Sequence, residues 1–190
     1  MISEDGVNVG AAKPAPMAKL IVGLVSNDVD LMAWARQLLA RLYGPVELVS
    51  GLWPFDATRY YEPEMGAGLQ RQFIAMTELI PQDRIVEIKP AANALEMQLC
   101  DDTLADHDHR PVNIDPGYID MGKLVLATTK DHAHRIYLAR GIYAEITLKF
   151  QDGRWRPWPW TYPDYADGRY FEFFNEVRQS LRRQRQEMGL

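Results

Sequence analysis

Between Ile136 and Trp158 the chain reads IYLARGIYAEITLKFQDGRWRPW, a run that alternates in polarity with period two and is interrupted at Arg140-Gly141 and again at Asp152-Gly153. Strands alternate their side chains between two faces, and Asp-Gly between alternating segments is the strongest short-range hairpin signal. Two successive hairpins commit the chain to an antiparallel sheet, whose apolar face must be covered by another layer. The register follows from the faces, because a one-residue slip moves every side chain across the sheet. A two-residue turn at Arg140-Gly141 sets Ile136 opposite Glu145 and Arg135 opposite Ile146, mixing charge with core. A three-residue loop, Ala139-Arg140-Gly141, with Gly141 left-handed, pairs Leu138 with Ile142, Ile136 with Ala144 and His134 with Ile146 on one face. Tyr137 then pairs with Tyr143 and Arg135 with Glu145 on the other, where Trp158 and Trp160 join them. A face carrying these large aromatics calls for cover. The C-terminal helix, through Phe173 and Phe174, is the preferred cover, ahead of a ligand or partner.

The remaining elements fit around that sheet. KLIVGLVS (19–26) is a short apolar β-branched run, read as a buried strand. A helix follows, capped by Ser26, Asn27 or Asp28, with Leu31, Trp34, Leu38 and Leu42 at helical spacing and Gly44-Pro45 as its stop. VELVSGLWPF (46–55) is a second strand and the first half of LQRQFIAMTELI (69–80) a third. PAANALEMQLC (90–100) is a second helix, its stripe at Ala94, Leu95, Met97 and Leu99. DDTLADHDHR (101–110) is a surface loop, VNID (112–115) is a strand that breaks at Pro116-Gly117, and KLVLATTK (123–130) is a strand or short helix. Tyr170, Phe173, Phe174, Val177 and Leu181 share one face of a terminal helix. The expected fold is therefore α+β. It is a single domain over 18–190 behind a flexible lead-in over 1–17, with a mostly antiparallel sheet, helices packed on it and a C-terminal helix. Its first six elements fit a ferredoxin-like half.

Composition excludes several classes. With 47% hydrophobic and 25% charged residues, 190 residues suffice for one well-buried core. The net charge of −5 argues against a general nucleic-acid binder, and no apolar run reaches the roughly 20 residues that cross a bilayer. The single cysteine, Cys100, forms no internal disulfide and closes an apolar stripe, so it reads as inert filling in a cytoplasmic protein. The P-loop, dinucleotide-fold, serine-hydrolase and zinc-protease signatures are absent.

The residues able to carry chemistry are scattered. Asn113 and Asp115 share a strand face, which aims a carboxylate at a ligand or caps a turn. Lys123, Lys130 and Arg135 could converge on an anion such as a phosphate, or be solvated strand ends. WPFDATRYYEPEMGAGLQRQF (53–73) concentrates Tyr61, Glu62 and Glu64 near two glycines, although nothing marks Glu62 and Glu64 as an acid/base pair. His107 and His109, and His132 and His134, form His-x-His pairs, the spacing of two zinc imidazoles on a strand. That spacing alone is weak, and no metal site is assigned.

At FDATRYYEPEMGAGL, at VNIDPGYIDMGKLVLATTKDHAHRIYLARGIYAEITL and at PWTYPDY the chain resembles an uncharacterised bacterial family catalogued as domain of unknown function 4416, over about Lys19 to Arg178. The resemblance implies no activity and no cofactor. Some members carry a GTP-binding label, but TTKD lacks the spacing of the guanine-recognising T-K-x-D motif. The matching positions Tyr61, Glu62, Glu64, Asp115, Tyr118, Lys123, Lys130, His134, Arg135 and Glu145 are the site candidates. The expectation is a protein that binds a small anionic ligand such as a nucleotide or phosphoester, with catalysis on that ligand left open. The alternative is a non-catalytic module that docks a partner or a second copy on its aromatic face.

Overall fold

A computed structural model describes residues 10–103 and 110–189. In chain order the elements are β1 (Ala18–Ser26), α1 (Val29–Tyr43), β2 (Val46–Val49), β3 (Trp53–Pro54), α2 (Glu62–Met65), β4 (Gln70–Ile80) and α3 (Ile85–Asp102). There follow β5 (Asn113–Ile119), β6 (Lys123–Thr128), β7 (Ile136–Ala139), β8 (Ile142–Gln151), β9 (Arg154–Pro157), α4 (Pro163–Ala166) and α5 (Phe171–Glu187). Among the described residues nine strands form one antiparallel sheet in the order β2-β4-β1-β5-β6-β8-β7, with β3 beside β4 and β9 beside β8. β1 and β2, joined through α1, flank β4, while β4 and β5, joined through α3, flank β1. The fold is α+β with a C-terminal helix, as expected. No helix among the described residues is long and apolar enough to cross a membrane.

β1 sits mid-sheet with all nine residues buried, which is why its sequence is a continuous apolar run. Leu20, Val22 and Leu24 face α1 and α3; Ile21 faces α5 together with Phe73, Ile119, Leu124, Leu148 and Trp155. The α5 stripe is as read from the sequence, Phe173, Phe174, Val177 and Leu181 all being buried. The α1 stripe is rotated. Leu31, Met32, Ala35 and Leu39 are buried, whereas Trp34 and Leu42 are exposed, because the face a helix buries is set by the sheet beneath it. Asp28 is the cap, accepting from Asp30 N and Leu31 N at 2.9 and 3.0 Å.

Other boundaries move too. Residues 46–55 form two strands, because Ser50 turns its hydroxyl to Phe73 N at 2.8 Å in place of a continuous ladder. β4 is a strand throughout its eleven residues, and 123–128 is a strand. α3 begins at Ile85, ahead of Pro90, and buries Leu95 and Leu99 but exposes Ala94 and Met97. β5 runs straight through Pro116-Gly117 with no turn. Pro116 lies just beyond the segment paired with β6, Gly117–Ile119, and a Cβ on Gly117 would come within 2.7 Å of Leu126 Cδ2. Glycine there permits close approach of two strands.

The first hairpin solves its register differently. Ile136 pairs with Ala144 and Tyr137 with Tyr143, as expected, but Ala139 pairs with Ile142 around a two-residue turn. Arg140 and Gly141 both take positive φ, +53° and +76°, and a bulge at Leu138 absorbs the extra residue. Asp152-Gly153 repeats the same turn without a bulge, pairing Gln151 with Arg154. β7 and β9 both lie on the outer edge of β8, and neither reaches Glu145, Ile146 or Thr147. Side chains serve that gap: Trp160 Nε1 donates to Ile146 O at 3.2 Å and Thr161 Oγ1 to Thr147 O at 2.6 Å. α5 does not cover Tyr137, Tyr143, Trp158 or Trp160; its partner in the hairpin is Trp155.

Candidate functional site

The edge of the sheet at β8 gathers part of the candidate set. Arg135 donates through Nε to Glu145 Oε2 at 2.9 Å, through Nη1 to Lys130 O at 3.0 Å and through Nη2 to Tyr162 Oη at 2.8 Å. The Arg135 and Glu145 side chains are 3% and 2% exposed. Arg135 is therefore a buried staple joining β8, the segment after β6 and the segment after β9, with its donors already engaged. Lys130 is exposed, its Nζ 2.9 Å from Tyr60 Oη and 4.7 Å from that ring's centre.

His134 lies beside Ile136, Ala144 and Ile146, on the apolar face expected of it, and also reaches a carboxylate. Its Nε2 lies 3.2 Å from Glu145 Oε2, and its ring stacks on Trp160 at 5.7 Å and 16°. Trp160 in turn stacks on Trp158 at 5.1 Å, over which Lys149 Nζ sits at 4.5 Å. The carboxylate places the imidazole proton on Nε2, leaving Nδ1 as the basic nitrogen of the neutral ring.

His134 and Trp160 are also one wall of a hollow of about 380 Å³ on the sheet face that α1 and α3 occupy further along. Val125, Ala144 and Ile146 form its floor, Ile136 and Leu138 its outer side, and Tyr118 and Lys123 its far wall. This volume is in the range of small-molecule sites, which are apolar with few polar groups. Burial, with the nearby Asp120, pushes the Tyr118 phenol up to about 12, so it stays a hydrogen-bond donor at neutral pH. Lys123 Nζ is held by Asp120 Oδ2 at 2.5 Å, and Asp120 Oδ1 accepts from Gly122 N and Lys123 N at 2.7 and 2.9 Å. The tight turn thus fixes the root of the lysine.

The other candidates lie elsewhere. Asp115 is on β5, where α3 serves an unpaired strand edge: Lys89 Nζ donates to Ile114 O at 3.1 Å and lies 3.3 Å from Asp115 Oδ1, while Glu96 Oε1 accepts from Ile114 N at 2.6 Å. Asn113 Nδ2 donates to Asp115 Oδ2 at 2.6 Å. Burial opposes ionisation of Asp115, but Lys89 and Arg71 outweigh it and hold the carboxyl below its ordinary range. Burial raises Glu96. Arg110 bridges Glu96 and Glu64 at 2.9 and 3.2 Å and lies over the Tyr61 ring. Burial, with Asp115 nearby, raises the Tyr61 phenol. Glu62 only approaches Arg59, at 4.0 Å, on the surface. Asp115, Tyr61 and Glu64 thus belong to one ion network, and Glu62 to none of these groups.

Lys89 and Glu96 were not singled out from the sequence. Their signal is that they occupy the apolar face of α3 beside Ile85, Ala92 and Leu99, where charge needs a partner. His107 and His109 lie outside the described residues. His132 and His134 have ring centres 5.9 Å apart, and among the described residues no group of three or more His, Cys, Asp or Glu could hold a metal ion.

The model of the family described as Domain of unknown function (DUF4416) matches residues 16–181, and the chain belongs to that family. No curated protein and no solved structure matches it.

Proposed function

We propose that the protein binds a small anionic ligand with an apolar body, a carboxylate or a phosphoester, in the hollow between Tyr118 and Trp160. One observation carries this reading: Tyr118 at the end of β5, Lys123 at the start of β6 and His134 ahead of β7 border a single concavity whose floor is Val125, Ala144 and Ile146. The floor suits an apolar body, and the ammonium, phenol and imidazole suit a charge at its margin. A location in the cytoplasm goes with this reading, since the one cysteine, Cys100, is buried and outside any disulfide. Isothermal titration with phenyl phosphate, AMP, butyrate and inorganic phosphate tests the proposal. Binding of phenyl phosphate or butyrate, weakened by about tenfold in Lys123→Ala, is expected, since a charge-assisted hydrogen bond contributes roughly 1.5–3 kcal/mol. Loss of no affinity in that variant sinks it.

A second reading has its own observation. Ile136, Tyr137 and Leu138 are consecutive on β7 and 63%, 57% and 38% exposed, a run suited to an interface. Under this reading the protein docks a partner or a second copy there. A light-scattering mass of one chain at high concentration, with no partner retained from lysate, removes it.

A further inference from the structure

We infer that the hollow is a reaction site in which His134 acts as general base for the attack of water on the carbonyl of an apolar acyl ester. This deepens the binding reading and rests on it, the carboxylate product being the small anion that the hollow would hold. The geometry that points to it is the backing of His134. An imidazole that merely lines a pocket does not need a carboxylate that is 2% exposed at 3.2 Å from Nε2, itself fixed by Arg135 at 2.9 Å. Such a partner holds the ring in one orientation and one tautomer and stabilises the imidazolium that forms when Nδ1 takes a proton. Trp160 locks the ring from one side, stacked at 5.7 Å.

The hollow supplies the remaining parts. The acyl chain lies on Val125, Ala144 and Ile146, and Tyr118 and Lys123, which line the same hollow, meet the developing oxyanion, Lys123 while paired to Asp120. His134 accepts a proton from water as the water oxygen adds to the acyl carbon. The tetrahedral intermediate then collapses with cleavage of the bond to the alcohol oxygen, and the alkoxide leaves with the proton that His134 held. One ester and one water give one acid and one alcohol, with His134 regenerated. Glu145 and Arg135 act through His134 and are positioning residues.

The full chain with 4-nitrophenyl butyrate tests this. Many turnovers per chain are expected. His134→Ala should lower kcat by about 100-fold or more with KM within about threefold, the loss that removal of a general base produces. Added imidazole should restore part of the rate in His134→Ala, which a structural histidine would not allow. Glu145→Gln should lower kcat and leave KM near its original value. Release that stops after one equivalent, a His134→Ala variant as fast as the parent, or a slow variant that imidazole does not restore each overturns the inference. Titration with butyrate separates the layers: butyrate bound without turnover overturns the reaction alone, while neither binding nor turnover of any probe overturns the binding reading as well.

Discussion

Arg71 lies on β4 against α4, its Nη1 donating to Tyr165 Oη at 3.0 Å and its guanidinium 4.8–5.5 Å from the ring centres of Phe55, Phe73 and Tyr165. Arg135 lies toward the opposite end of the sheet, ahead of β7, and its contacts are hydrogen bonds to Glu145, Lys130 O and Tyr162. Both are buried and both face a carboxylate, Asp164 at 3.5 Å for Arg71 and Glu145 at 2.9 Å for Arg135. The surroundings differ in kind. Arg71 is packed as part of an aromatic core, with its Nε lacking a hydrogen-bond partner. Arg135 ties three backbone segments by hydrogen bonds, and His134 and Trp160, beside the loops it ties, form a wall of the hollow. A buried arginine can thus serve cohesion or shape, and its donors tell which.

The contrast is sharpest in what each substitution should do. Arg71→Met should destabilise by about 3–5 kcal/mol in urea denaturation, because Asp164 is left buried beside Tyr170 without its cation. A cost under about 1 kcal/mol would mean that the aromatic packing alone carries this region. Arg135→Gln should cost less, about 2 kcal/mol, and weaken phenyl phosphate binding beyond what that loss explains, as charge-assisted bonds to Glu145 are removed. Equal damage to stability with binding intact would erase the distinction between the two arginines.

Smaller effects probe the margins of each region. Gly141→Ala should cost about 1 kcal/mol, since Gly141 sits at φ +76° with open space around a Cβ, so the loss is left-handed strain alone. Asp115→Asn reads the field around Arg71. Asp115 titrates below its ordinary value in the folded chain, so its contribution is complete above the unfolded Asp value near about 4 and is lost as pH falls through the lower folded one. The variant should therefore be least different from the parent at the lowest pH at which both fold and most different near neutrality, as denaturation series at several pH values would show. A pH-independent difference would mean that Lys89 and Arg71 do not act on it.

How much of this was legible in the sequence follows range of interaction. The Asp152-Gly153 turn, the α5 stripe and the Arg135–Glu145 pair are local or follow from alternation, and each is found. The bulge at Leu138 was missed because it is decided by how β7 meets the rest of β8. Pro116-Gly117 carries a turn signal that the neighbouring strands override. Ile136 and Leu138 read as core because they alternate correctly; they are exposed because among the described residues no helix covers them, and helix reach is invisible to period. Tyr118, Lys123 and His134 were each named, but their convergence depends on the order β5-β6-β8-β7. The aromatic cover was assigned to the wrong tryptophans, as α5 meets Trp155 and leaves Trp160 to His134.

The broken outer edge of β8 has a consequence for solubility. A sheet that ends in a long bare strand invites another chain to add to it, the first step toward fibrillar association. Here the ten residues of β8 are divided between two four-residue partners, and the carbonyls between them are taken by an indole and a hydroxyl. The outermost strands offer only Ile136–Ala139, bulged at Leu138, and Arg154–Pro157. An unfolded neighbour therefore finds no continuous template along this side, so exposed Ile136 and Tyr137 can present side chains to a partner without also recruiting its backbone. Trp160→Ala, by uncovering Ile146 O, should be the change that most promotes aggregation on prolonged heating.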